Sequence, residues 1–166
     1  MQNQKKLIGA GLVVAAGLAW YAFRPELLFV NQEVSEALPA ASVAQAQSSS
    51  PRPIVEGKFR GLAHETRGTA TIFQVAEGKR VLRMTNFETS NGPDLRVFLV
   101  AAPDASDNDT VQNAGYIELG KLKGNIGDQN YDVPAGTDLN KYRAVTIWCN
   151  RFSVNFGTAP LGIPAS

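Results

Sequence analysis

The chain has one cysteine and one histidine, and these two residues bound the chemistry open to it. Cys149 lies in residues 145–157, between Pro134 and Gly136 upstream and Pro160 downstream. A blue-copper centre needs two histidines and a cysteine from one chain, and a Cys/His structural zinc site needs more ligands still, so both fail. Cys-x-x-Cys is absent, which removes dithiol exchange of the thioredoxin kind, and Cys-x-x-Cys-His is absent, which removes covalent c-type haem. Neither a Gly-x-Ser-x-Gly elbow nor a Gly-x-Gly-x-x-Gly fingerprint occurs. No metal site is expected, and the inventory describes a component rather than a stand-alone enzyme.

What remains is a lone thiol. The thiolate is a nucleophile, a redox group and a ligand of haem iron. Trp148 and Phe152 beside it could wall a flat apolar cofactor, and Arg151 could favour the thiolate or neutralise a propionate. The alternative reading is structural. Val145, Ile147 and Cys149 share one strand face, and a free cysteine on an apolar face packs as a small hydrophobe. Asp94, in Gly92-Pro93-Asp94, is the second candidate, able to pair with a cation or orient a ligand; as a turn carboxylate it also has an ordinary role. His64, at the end of an expected strand, is the third, with a rim histidine as its alternative. Residues 104–109 carry three aspartates but lack the glycine and final glutamate of an EF-hand, and read as a solvated loop.

The elements that must position these residues are strands. From Ile54 onward short β-type runs are separated by Gly, Pro, Asn and Asp. Strands are expected at 57–65, 68–75, 79–87, 94–101, 116–119, 131–133, 144–149 and 152–157. About eight such strands predict an all-β, antiparallel β-sandwich or barrel. The run 95–100 is apolar on both faces beyond Arg96, so it is expected to be central in its sheet. The break at Asn150-Arg151 is expected to be a kink or a turn between two strands.

Ahead of the domain, Lys5-Lys6 precede an uncharged run, residues 7–23, followed by Arg24 and the apolar patch 27–30. A membrane-spanning helix needs about 17–25 apolar residues. The residues after the run are bulky or charged, unlike a signal-peptidase site. Residues 1–30 are therefore read as an uncleaved signal anchor and transmembrane segment. The lysines place the N-terminus in the cytoplasm and the domain in the periplasm or outside the cell. Residues 31–53 are rich in Ala, Gln, Ser and Pro and are read as a flexible linker that lets the domain reach away from the bilayer. Residues 54–161 form the domain, and 162–166 a tail. Basic and acidic residues balance within the domain, and the whole chain carries a net charge of +1, so nucleic acid is not an expected partner.

Several blocks together resemble the DM-thirteen domain of Skeletor-type animal proteins and bacterial envelope proteins. They include Leu82-Arg83-Met84-Thr85-Asn86-Phe87, Asn91-Gly92-Pro93-Asp94-Leu95, Leu119-Gly120-Lys121-Leu122-Lys123-Gly124-Asn125, Gln129-Asn130-Tyr131-Asp132-Val133-Pro134 and Ile147-Trp148-Cys149. The resemblance runs from about Gly57 to Leu161. It implies an all-β extracytoplasmic domain with an electron-transfer role centred on Cys149, as a bare thiol or as ligand of a group such as haem. It also implies a redox or surface protein as partner. A non-catalytic binding or adhesion module, with Cys149 as core, is the competing reading.

Overall fold

Side chains of a strand alternate between faces, and in this domain that alternation sorts the apolar residues into two layers. The computed structural model describes residues 11, 13, 14, 17, 21, 30–39, 50–76 and 78–164. Among the described residues from 30 to 164 the elements run in the order β1 (Glu33–Ser35), β2 (Arg52–Lys58), β3 (Arg60–Gly61), β4 (Thr66–Ala76), β5 (Lys79–Thr89), β6 (Leu95–Val100), the short helix α1 (Asn108–Asn113), β7 (Tyr116–Lys121), β8 (Ile126–Val133), β9 (Ala144–Cys149) and β10 (Val154–Pro160). They form two five-stranded sheets, ordered β1-β8-β5-β4-β2 and β3-β10-β9-β6-β7. Each sheet keeps two edges, so the architecture is a sandwich and not a closed barrel. Every pairing is antiparallel except that of β1 with β8.

The main core lies between the sheets. Ile72, Leu82, Met84 and Phe87 of one sheet meet Val97, Leu99, Val145, Ile147 and Cys149 of the other. A second, smaller core covers the outer face of β6 and β9. There Phe98, Val100, Ala144 and Trp148 pack under Ala102, Ala105 and Val111. This explains why 95–100 is apolar on both faces: β6 sits between β9 and β7 and is covered on each side. The cover is α1, with Asp107 as its N-cap accepting from the Thr110 N–H at 2.6 Å. It is too short for helical periodicity to reveal it. Asp104, from the same stretch, pairs with Arg60.

Two expectations change at the edges. The expected strand 57–65 is instead the end of β2 followed by β3, and β8 begins at Ile126, well before Tyr131. The larger change is at the expected linker. Residues 31–37 are docked on the domain, with β1 added in parallel to the edge of β8, and Arg52 and Pro53 already belong to β2. The linker expectation does not hold for residues 31–37, 52 and 53, and residues 40–49 lie outside the described residues. The physical reason is a set of polar clamps that composition does not reveal. The Asn125 side chain accepts from Gln32 N–H at 2.7 Å and donates to Asn31 Oδ1 at 3.0 Å. Glu36 receives Lys123 Nζ at 2.8 Å and the Asn130 N–H at 2.7 Å. Arg83 donates to the Glu36 carbonyl at 2.8 Å. Gly124 and Gly127 let the backbones approach: a Cβ on either would run into the carbonyl of Gln32 or Val34. In the tail, Gly162 exchanges two backbone hydrogen bonds with Glu56.

Residues 1–29, which carry most of the expected anchor, are with few exceptions outside the described residues. Among the described residues no helix is long and apolar enough to cross a membrane.

Candidate functional site

The antiparallel register decides which loops share an end. The starts of β4, β6, β8 and β10 and the ends of β5, β7 and β9 fall together. That end therefore gathers residues 62–65, 90–94, 122–125 and 150–153. It is also where Asn31 meets the domain, its side-chain oxygen bonded to Asn91 and Asn125. Five of the sequence candidates, Cys149, Asp94, His64, Arg151 and Phe152, belong to this end although they come from three separate stretches of chain.

Between the loops lies a cleft of about 280 Å³. Asn91, Gly92, Pro93 and Asp94 form one wall, Lys121, Leu122, Gly124 and Asn125 another, and Gln32 closes a side. The wall at 122–125 is held from below. Gln129, fully buried, accepts from the Lys123 N–H at 3.2 Å and donates to the Gly124 carbonyl at 2.9 Å. Tyr131 donates its hydroxyl to Gln129 at 2.7 Å. Burial pushes the Tyr131 phenol above its ordinary range, so it remains a donor. The N–H groups of Lys123 and Gly124 are thus spent internally on Gln129.

The wall at 91–94 is held by Asp94. Its carboxylate takes two hydrogen bonds from Arg96, at 3.1 and 3.2 Å, and one from Asn150 Nδ2 at 3.3 Å. Its carbonyl accepts from the Asn150 N–H at 2.9 Å. Burial works to raise the Asp94 pKa, but the hydrogen bonds from Arg96 and Asn150 and the charges of Arg96 and Lys121 outweigh it and hold the carboxyl below its ordinary value. Arg96 continues to Glu118 at 2.7 Å. Asp94 is therefore a strut between the cleft loop and the β9–β10 turn.

Cys149 lies one layer beneath this loop. It pairs with Leu95 on β6 and with Val154 on β10. It is 0% exposed and belongs to the core between the sheets. Cys149 does not line the cleft, whereas Leu95, its cross-strand partner, does. Trp148 points to the opposite face, against Phe98 in the second core. Phe152 is 65% exposed in the turn, and Arg151 is exposed beside it. The four residues that could have cradled a haem thus face three different ways. With the thiol packed in the core, they do not fit that group. His64 is exposed and lies over Phe156, ring centroids 3.8 Å apart, as a rim residue. Among the described residues no group of three or more His, Cys, Asp or Glu could hold a metal ion.

The sequence reading did not single out Asn31, Asn91 or Gln129 as site residues. The Asn91-Gly92-Pro93-Asp94 and Lys121-to-Asn125 blocks were visible, but nothing in either block announces that they face each other.

An all-β sandwich whose separate sequence blocks converge on one end, over a buried thiol, is the class of protein defined here: a small two-sheet β domain. The family model described as Electron transfer DM13 matches residues 58–161. The chain belongs to the DM13 electron-transfer domain family. No curated protein and no solved structure matches it.

Proposed function

We propose that this chain is an electron-transfer domain working outside the cytoplasm, anchored to the membrane by residues 1–30, with Cys149 as its redox group. One observation carries the reading: the chain's single thiol lies directly beneath the end on which residues 91–94, 122–125 and 150–153 converge. The reaction that suits a lone buried thiol is exchange with a disulfide on a partner protein. The Cys149 thiolate attacks one partner sulfur, the partner S–S bond breaks, a mixed disulfide forms, and the departing thiolate takes up a proton. A reduced dithiol protein then attacks the Cys149 sulfur with one thiol, releasing the partner as a dithiol, and its second thiol frees Cys149 as it closes its own disulfide, so two electrons pass from that protein to the partner. Reaching the sulfur requires Leu95 and residues 91–94 to move aside, so the rate is set by that opening.

The test is reaction of the folded full chain with an aromatic disulfide reagent. The expected result is one slow, thiol-reversible adduct per chain, absent from Cys149→Ala. Reaction seen only at denaturant concentrations that unfold the domain would overturn the redox role.

A second reading is favoured by the complete burial of Cys149: a binding module in which the thiol is core. It expects no adduct on the folded chain and unchanged function of Cys149→Ala in the host.

A further inference from the structure

Where the anchor enters the domain decides which way the domain faces. We infer that the Cys149 end of the sandwich is held against the membrane that carries the chain's own anchor, so that its contact is the lipid headgroup surface. The inference rests on the anchor reading above and adds orientation, contact surface and the placement of the redox partner.

Residues 31–37 are bound to the domain by the Asn125, Glu36 and Arg83 clamps and by the β1–β8 ladder. They enter at the end that holds the cleft, since Glu33 stands opposite Ile126 at the start of β8. Only seven residues separate Phe23, the last of the uncharged run, from Asn31, a span of at most about 28 Å. A free linker from Asn31 to Ile54 would have added about 80 Å of reach. The apolar patch 27–30 in that short span itself favours the headgroup boundary, and Val30 is exposed where it adjoins Asn31.

The surface of this end fits the contact. Phe152, the most exposed aromatic of the domain, projects from the β9–β10 turn next to Arg151. An aromatic ring beside a cation is the pairing that seats at a bilayer interface. Lys121 is exposed at the cleft wall. Of the acidic groups at this end, Glu88 and Glu65 pair with Arg67, Asp94 with Arg96 and Glu36 with Lys123, while Glu33 is exposed. The opposite end, with the exposed turn at 134–136, points away. The redox partner of Cys149 is then a protein at the membrane surface, reached without crossing the aqueous space.

The test uses the full chain in vesicles of phosphatidylcholine and phosphatidylglycerol that contain a nitroxide-headgroup lipid. In a Cys149→Ala background, an environment-sensitive fluorophore is placed at the cleft end through Ser90→Cys or at the far end through Ala135→Cys. The expected result is co-flotation of both labelled chains with the vesicles, with quenching several-fold stronger at position 90. Adding Gly127→Ala, which unseats β1, should reduce that difference while flotation persists. Flotation with equal or reversed quenching would overturn the orientation and leave the anchor intact. Absence of flotation would overturn the anchor reading and the orientation with it.

Discussion

Leu95 and Cys149 stand directly opposite each other on β6 and β9, and both side chains enter the core between the sheets. Leu95 also lines the cleft above, so it joins the cleft to the strand pair that holds the thiol. Truncating it should expose the sulfur. Leu95→Ala is expected to cost about 2–4 kcal/mol and to raise the rate of thiol labelling on the folded chain more than that of a Val97→Ala variant destabilised by a similar amount. Labelling rates matched against urea midpoints check this. Equal acceleration in both variants would mean that the thiol is reached only by global unfolding.

The thiol's own packing gives a second prediction. Cys149→Ala removes one atom from the core and should cost about 1 kcal/mol. Cys149→Ser buries a hydroxyl among Leu95, Ile147 and Phe156 and should cost about 1–3 kcal/mol through its unmet hydrogen bonds. The alanine variant should therefore be the more stable of the two, as read by denaturant midpoints. The reverse order would mean that the serine finds a polar partner and that the sulfur's surroundings are not apolar.

The strands were legible because their burial obeys a period of two. Val145, Ile147 and Cys149 parted from Thr146 and Trp148 as the alternation requires, and β6 proved central for the reason its two apolar faces suggested. The docked segment 31–37 was not legible. Its attachment uses Asn31, Gln32 and Glu36, polar residues whose partners Asn125, Lys123 and Asn130 lie far along the chain, and periodicity carries no information about such pairs. The site was legible as residue types and not as an arrangement. Strand alternation put Trp148 and Cys149 on opposite faces, so neighbours in sequence could not wall one pocket. Asp94 and Asn150 met only through the pairing of β6 with β9.

The docking of β1 depends on the absence of side chains beneath it. Gly127 has φ +102, and a Cβ there would collide with the Val34 carbonyl. Gly127→Ala should cost about 2 kcal/mol or more from backbone strain and the collision together. It should also free residues 31–37, which limited proteolysis would detect as new cleavage before residue 38 while the sandwich stays intact. Resistance equal to the parent chain would show that β1 does not need the glycine.

Acid should loosen the cleft end, and the sign follows from the direction of the Asp94 shift. Its carboxyl has an ordinary value of 3.8 and is held lower in the folded chain, where burial is outweighed by Arg96 and Asn150. A carboxyl with a depressed folded pKa contributes stability above its unfolded value and loses it as the pH falls through the folded one. The Glu36 carboxyl behaves alike: burial raises it, but the hydrogen bonds from Lys123 and Asn130 and the charges of Lys123 and Arg83 bring it below 4.5. Asp94→Asn removes the first contribution. At neutral pH the variant should be about 1–2 kcal/mol less stable than the parent, since a charged pair with two Arg96 hydrogen bonds is lost from a partly covered site. Below the folded pKa of Asp94 the two chains should converge, because the parent's carboxyl is then protonated as well. Urea midpoints measured from neutral pH down to the acid limb would show this convergence. A gap that stays constant with pH would assign the loss to shape rather than to charge, and Asp94 would no longer be the electrostatic strut between the cleft loop and the Cys149 strand.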